Sequence, residues 1–371
     1  MPSLHFISRK NPYAKRWLRV FINRDVGTHT FEGSFSFTGS ERRSVKKFLA
    51  RMDETSSECS KAKRANDSSK MQDTNKLARR RLEKTGRKLF RIISEATSAP
   101  INDLSSLGEY GSNFTLHVDE RTRKFPWELA FDGGDFICTK FAVGRKVVNP
   151  PYEYVPQTKP LHKDALVIGL NYDWPNCKED RLFHCKSEAR SVRTQLIKLG
   201  YRIRYPESPE QATVNEVKKW LKKGVSVFHF TGHGAYRLHS RSGERGVLRL
   251  ADGILTTEDL RNCFEHAKGA PYLSFLNACQ TAKEIYSSGL VDAFVDLGAE
   301  NVIGTFWSVF DEPSKIFARS FYKSIAQGDP IGYAIKKARD RLIYGGEIEQ
   351  ATTWPAPVLY GDPSRTLPRA P

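Results

Sequence analysis

Residues 226–234, SVFHFTGHG, and residues 272–281, YLSFLNACQT, decide how this chain is read. Each opens on a short run of apolar and aromatic residues, the mark of a strand buried on both faces of a parallel sheet. Each then breaks into small and polar residues: Thr231-Gly232-His233-Gly234 after the first run, Asn277-Ala278-Cys279 after the second. In open parallel sheets ligands bind beyond the carboxyl ends of the strands. Two such ends, one carrying an imidazole and the other a thiol, are therefore the first place to look for chemistry.

The pattern outside these runs is regular. Residues 165–170 (ALVIGL), 201–205, 301–306 and 357–360 read as further strands. Residues 187–199, 213–223, 257–267, 289–297, 312–327 and 331–344 read as helices. Thr213 is the expected N-cap and Gly224 the stop of the second helix. Strands alternating with helices at this spacing predict an α/β fold, a three-layer sandwich with a mostly parallel sheet. No period of 20–50 residues argues for a solenoid.

If the two runs are neighbouring strands, His233 and Cys279 face each other above the sheet edge. That is the arrangement a thiol nucleophile and its base require. Either residue alone would be an ordinary structural residue, since a lone cysteine behaves as a small hydrophobe. The flanking glycines Gly232 and Gly234 let the chain turn, and the N–H groups of Gly234 and Cys279 are candidates for an oxyanion hole. His229, expected to point the opposite way along the strand or into the sheet, is expected to serve stability.

The first part of the chain is less regular. Residues 19–23 and 30–38 read as strands, 40–52 as a short helix, 53–76 as an exposed basic loop, and 75–96 as a basic amphipathic helix. A Pro/Tyr-rich stretch at 150–160 suggests a linker, dividing the chain into 1–155 and 156–371. The net charge is +17, and residues 41–91 alone hold 17 Lys/Arg against 7 Asp/Glu. Such a segment is a solvated surface or a holder of polyanions, so nucleic acid stands as an alternative partner. No apolar run approaches the roughly 20 residues of a membrane span, and no signal peptide is read at the start. A cytoplasmic protein is expected. The six cysteines contain no CxxC pair. Cys177, His184 and Cys185 lie close together without a second ligand pair, so no structural metal site is predicted.

With these residues in view the chain resembles the CHAT branch of the caspase-like cysteine peptidases, within the caspase, metacaspase and separase superfamily. The resemblance is carried by VFHFTGHGAY (227–236), LSFLNACQTA (273–282), KFPWELAFDGGDFI (124–137) and VIGTFWSVFDEPSKIFARSFYKSIAQG (302–328), with IGYAIKKARDRLI and TTWPAPVLYGDP closing the chain. It covers residues 82–363; the first 80 residues carry none of it. The resemblance implies a caspase-like catalytic domain preceded by a diverged, pseudo-caspase-like α/β half. It implies a site-specific endopeptidase with Cys279 as nucleophile, His233 as proton carrier and no cofactor or metal. It implies a protein substrate, an upstream activating protein or protease, and a bacterial setting in defence or cell death. Relatives often carry tetratricopeptide repeats, which this chain lacks.

Substrate-binding positions follow from the same resemblance. The stretch after the strand at 301–306 reads Trp307-Ser308-Val309-Phe310-Asp311, without the arginine that Asp-cleaving caspases use there. Acidic candidates are Asp173, Asp311 and Glu188, the last where metacaspases place a pocket carboxylate. A carboxylate at the pocket floor favours a basic residue before the cut; an apolar pocket is the alternative. A catalytically silent adaptor, or a nucleic-acid binder acting through 41–91, are the competing functions.

Overall fold

The computed structural model describes residues 3–9, 18–26, 29–37, 39–96, 101–148, 162–173, 181–204, 206, 209–239, 243–264, 269–279, 281–282, 289–345 and 351–370. Its order is β1 (Ser3–Arg9), β2 (Leu18–Val26), β3 (His29–Phe37), α1 (Gly39–Arg64), α2 (Ser68–Ala96), β4 (Asn113–Val118), α3 (Ile137–Lys140), β5 (Ala142–Val147), β6 (Asp164–Gly169), α4 (Cys185–Lys198), β7 (Arg202–Arg204), α5 (Val214–Lys223), β8 (Val227–Thr231), β9 (Gly234–His239), β10 (Gly243–Arg249), β11 (Ile254–Thr256), α6 (Thr257–Phe264), β12 (Leu273–Asn277), α7 (Leu290–Asp296), β13 (Asn301–Thr305), α8 (Asp311–Ala326), α9 (Ile331–Tyr344) and β14 (Pro357–Tyr360).

The strands form one 11-stranded sheet in the order β3-β2-β1-β4-β5-β14-β13-β12-β8-β6-β7, and β9–β11 form a separate antiparallel sheet of three. Within the 11-stranded sheet, pairing is antiparallel at β1–β2, β2–β3 and β13–β14 and parallel at the other seven pairs. The fold is thus the expected mostly parallel α/β sandwich. Its sheet does not stop at residue 155: β14, from the far end of the chain, pairs with β5 through Tyr360 and Arg145. The proposed linker at 150–160 lies outside the described residues.

Alternation along the buried strands divides the core. Phe228 points to one face and stacks on Phe294 of α7, 5.6 Å between ring centroids. His229 and Phe275 point to the other, against Tyr322 and Phe321 of α8. The Thr213 side chain caps α5, accepting from the Glu216 N–H at 3.2 Å, and α5 ends at Gly224 with φ +87°. That positive φ is one that a residue with Cβ adopts only with strain.

The Pro-Trp-Glu segment joins the two halves of the sheet. Glu128 forms a buried ion pair with Arg145 of β5. Arg145 also donates to the Phe125 carbonyl at 2.7 Å and to Tyr360 Oη at 3.2 Å, and its guanidinium lies 5.0 Å over the Phe306 ring. An arginine removed from water needs this many partners, because a buried unpaired charge is expensive.

One expectation is overturned. Residues 53–76 are not an exposed loop; they belong to α1 and α2, which form a long antiparallel hairpin. The buried side of α1 is Val45, Phe48, Leu49, Met52, Thr55, Ser56, Cys59 and Ala62. Helical spacing therefore continues past Met52, but in small and polar residues. Thr55 satisfies its hydroxyl on the Arg51 carbonyl at 2.6 Å, one turn back. Small side chains let two helices approach closely, and a Ser/Thr-rich composition conceals the stripe. β1, β5 and the three-stranded sheet were not anticipated either.

Candidate active site

Two neighbouring strands present His233 and Cys279 with equal overhang. β8 and β12 are paired in parallel with Thr231 opposite Asn277. His233 lies two residues beyond Thr231, and Cys279 two residues beyond Asn277. The loops that carry them touch: a Cβ on Gly234 would meet the Cys279 carbonyl oxygen at 2.8 Å and the Ala278 Cβ at 2.9 Å. Gly232 is as confined, its Cβ position lying 2.8 Å from Tyr172 Oη. Neither glycine has a positive φ among the described residues. Close approach, rather than a sharp turn, is what requires glycine here.

The Cys279 sulfur lies 3.9 Å from the Val309 carbonyl oxygen, in the loop after β13. Burial pushes the thiol pKa above its ordinary value of 9.0, and the Asp53 and Asp311 carboxylates add to the effect. A raised thiol pKa favours the protonated form, and a thiol reacts as a nucleophile only once a base has taken its proton.

The loop that faces Cys279 is held from a distance. Trp307 is buried and donates its indole N–H to the Thr352 carbonyl at 2.6 Å. The Ser308 N–H and O–H both reach Asp53 Oδ1, at 2.8 and 3.0 Å. Phe48 of α1 meets Trp307 edge-on, 6.0 Å between centroids, and Lys63 pairs with Glu312. The α1–α2 hairpin thus supports the loop beside the candidate site.

His233 has a fitted surround. The Tyr172 ring lies 4.4 Å from the imidazole, tilted 35°. Tyr172 Oη accepts the His233 N–H at 2.9 Å and donates to the Arg249 carbonyl at 2.7 Å. The Arg249 N–H in turn donates to the His233 carbonyl at 3.0 Å.

The acidic candidates are dispersed. Glu188 is buried on α4, where Oε1 lies 3.1 Å from His229 Nε2 and accepts from Asn277 Nδ2 at 2.7 Å. Burial holds its carboxyl above the ordinary value, against the hydrogen bonds from His229, Asn277 and Thr231. Asp173 pairs with Lys186, 2.7 Å apart. Asp311 accepts from the backbone N–H groups of Phe183 and His184 at 2.6 and 3.0 Å, just before α4 begins. The structure thus brings Gly234 against Cys279, sets Ser308 within reach of the sulfur, and ties Asp173, Glu188 and Asp311 to other partners. His229 is buried, as expected.

Three residues of this surround were not singled out from sequence: Asp53, Tyr172 and Asn277. Tyr172 sits just past β6, so strand-end position alone could have flagged it. Asn277 lay inside the quoted motif. Nothing in the sequence ties Asp53 to Ser308. Among the described residues no group of three metal-ligating side chains converges, and no helix is long and apolar enough to cross a membrane. Cys177 and Gln280 lie outside the described residues.

Residues 83–362 match the family model described as the CHAT domain. In structure, the chain is similar to the separase of the Saccharomyces cerevisiae separase–securin complex, with a TM-score of 0.58 at 13% identity, covering 97% of this chain and 30% of that one. It is also similar to the Arg specific cysteine proteinase gingipain R, with a TM-score of 0.50 at 11% identity, covering 78% of this chain and 69% of that one. At such identities the likeness is one of fold: a caspase-like α/β architecture. This chain spans less than a third of the separase. No curated protein matches it.

Proposed function

Because the chain belongs to the CHAT-domain family, we propose that it is a cysteine endopeptidase with Cys279 as nucleophile and His233 as general acid and base. The observation that carries this reading is the Thr231–Asn277 register, which gives the two residues the same two-residue overhang on adjacent parallel strands. The neutral Cys279 thiol gives its proton to the imidazole as the sulfur attacks a peptide carbonyl. The N–H groups of Gly234 and Cys279 receive the oxyanion; a Cβ at 234 would stand 3.4 Å from the Cys279 nitrogen. His233 returns the proton to the leaving amine, and water then hydrolyses the thioester by the same path in reverse.

Asp53 and Asp311 both lie near enough to raise the thiol pKa. We propose that this negative surround, edged by Ser308, favours Lys or Arg before the cut, with Asp173 and Glu188 serving the scaffold and the fully buried Trp307 supporting the loop from behind. The resemblance alone is the basis for proposing a bacterial defence or cell-death setting and an upstream activator. Incubating the protein with a peptide library and a thiol-directed peptide probe tests the assignment. Cleavage and labelling should both vanish in Cys279→Ala; cleavage that survives in that variant excludes this nucleophile.

One observation favours a second reading, binding of nucleic acid. Lys76, Arg80, Lys84 and Lys88 are exposed at successive four-residue steps on α2, with no acidic partner among the described residues. Binding to any duplex that weakens steeply with salt would support it.

A further inference from the structure

We propose that Tyr172 is the positioning residue for His233, fixing the imidazole by a ring contact and the backbone around it by its hydroxyl. The inference rests on the proposed peptidase reading and adds to it a residue outside both sequence motifs.

Three observations converge on Tyr172. First, its backbone has φ +55°, one of two positive-φ residues other than glycine among the described residues. Tyrosine enters that region only when its surroundings compel it, and such strain collects at functional sites. Second, the side chain is completely buried, and its hydroxyl ties the His233 loop to the end of β10. The hydroxyl accepts the His233 N–H at 2.9 Å and donates to the Arg249 carbonyl at 2.7 Å. With the Arg249 N–H on the His233 carbonyl at 3.0 Å, both backbone polar groups of His233 are fixed. Third, the aromatic face lies 4.4 Å from the imidazole, and the Arg249 guanidinium lies 5.2 Å over the same tyrosine ring.

An imidazole at a strand end has two side-chain torsions to control. The ring of Tyr172 bounds one side of it, and the hydroxyl fixes the backbone from which those torsions start. A general base must hold its lone pair toward the thiol proton, so loss of either constraint lowers the fraction of productive encounters without touching substrate binding. In this role Tyr172 acts through His233.

The test compares Tyr172→Phe, which keeps the ring and loses the hydroxyl, with Tyr172→Leu, which loses both. Turnover is measured per active site titrated with an irreversible thiol probe. The Phe variant should lose about tenfold in kcat and the Leu variant about a hundredfold, within the range for a disturbed acid–base group, with KM changed less than twofold. Equal kcat per titrated site in wild type and Leu variant overturns the proposal. If the Leu variant does not fold, the Phe variant decides: an unchanged kcat overturns the hydroxyl's role, and with it the proposal. A second readout is independent of cleavage. In the proton NMR spectrum, the His233 ring signals, assigned by their absence in His233→Ala, should be shifted upfield by the tyrosine ring in wild type and Phe variant, and return to ordinary positions in the Leu variant. Unshifted wild-type signals overturn the proposal. Shifted signals in a protein that cleaves nothing support the positioning and place the failure in the peptidase reading.

Discussion

The Asp53 carboxylate, midway along α1, takes both the N–H and the O–H of Ser308, which lies 255 residues later in the loop facing Cys279. A helix outside the family match thereby holds a wall of the candidate site. Hydrogen bonds to a charged group are worth about 1.5–3 kcal/mol. Asp53→Ala should lower stability by roughly that amount and lower kcat/KM with it. In a double-mutant cycle with Ser308→Ala, measured by urea denaturation, the coupling should exceed about 0.5 kcal/mol. Additive effects would show that the two residues do not act as a unit.

Reactivity of Cys279 should depend on pH in a definite direction. Its thiol pKa is raised, so the thiolate fraction at neutral pH is smaller than in a free cysteine. Alkylation by iodoacetamide should be slow at pH 7 and still rising at pH 9, because the thiolate is the reacting form. A rate already level at pH 7 would instead reveal a resting thiolate–imidazolium pair.

Glu188 offers a stability test. Its carboxyl pKa is raised by burial, so the native state holds that proton more tightly than the unfolded chain does. The contribution is present below the ordinary carboxylate value and is lost as pH rises through the raised one. Glu188→Gln does not titrate. Its melting temperature relative to wild type should therefore climb between pH 4 and pH 7; a constant difference would contradict the raised value.

Breaking the buried Glu128–Arg145 pair should be severe. Removing one partner of such a pair costs about 3–5 kcal/mol, whereas replacing both by apolar residues of similar volume is far milder. Glu128→Gln and Arg145→Met should each reduce unfolding stability strongly, and Glu128→Leu with Arg145→Met should recover much of the loss. A double variant as unstable as the sum of the singles would refute this.

Limited trypsin digestion addresses control by cleavage. The hairpin buries one side of α1, and its turn at 65–67 contains Asn66 at φ +52°. The first cut in this region should fall at Arg64, next to the turn, with Lys61 and Lys70 cut later. An early cut at Arg51, within the helix, would show that α1 opens before its turn does.

How much of this was legible beforehand depended on what each segment had to bury. VFHF and LSFL announce themselves because strands covered on both faces must be continuously apolar. Residues 331–344 and 357–360 fell where expected, since Pro330 and Pro357 fix the starts of a helix and a strand. Residues 53–64 were misread because α1 packs through Thr55, Ser56, Cys59 and Ala62, whose chemistry resembles that of a loop. At the site, Cys279 and His233 were visible from their strand ends. Asp53 was not, because its role arises from a contact between distant parts of the chain. Glu188 was noticed for its charge, but the partner that explains it, His229, comes from a neighbouring strand.

The place of β14 between β5 and β13 bears on how the chain is made. On the ribosome, β5 emerges roughly 210 residues before the strand that covers its edge. At about 5–20 residues per second this leaves an open edge for roughly 10–40 s. β13 waits for the same strand from the other side, though more briefly. Two unfinished edges on one nascent chain invite pairing with a second nascent chain, so slowed elongation should favour aggregation. The same delay has a protective side: neither half of the sheet is locked to the other, and the site is not completed, until β14 has been made.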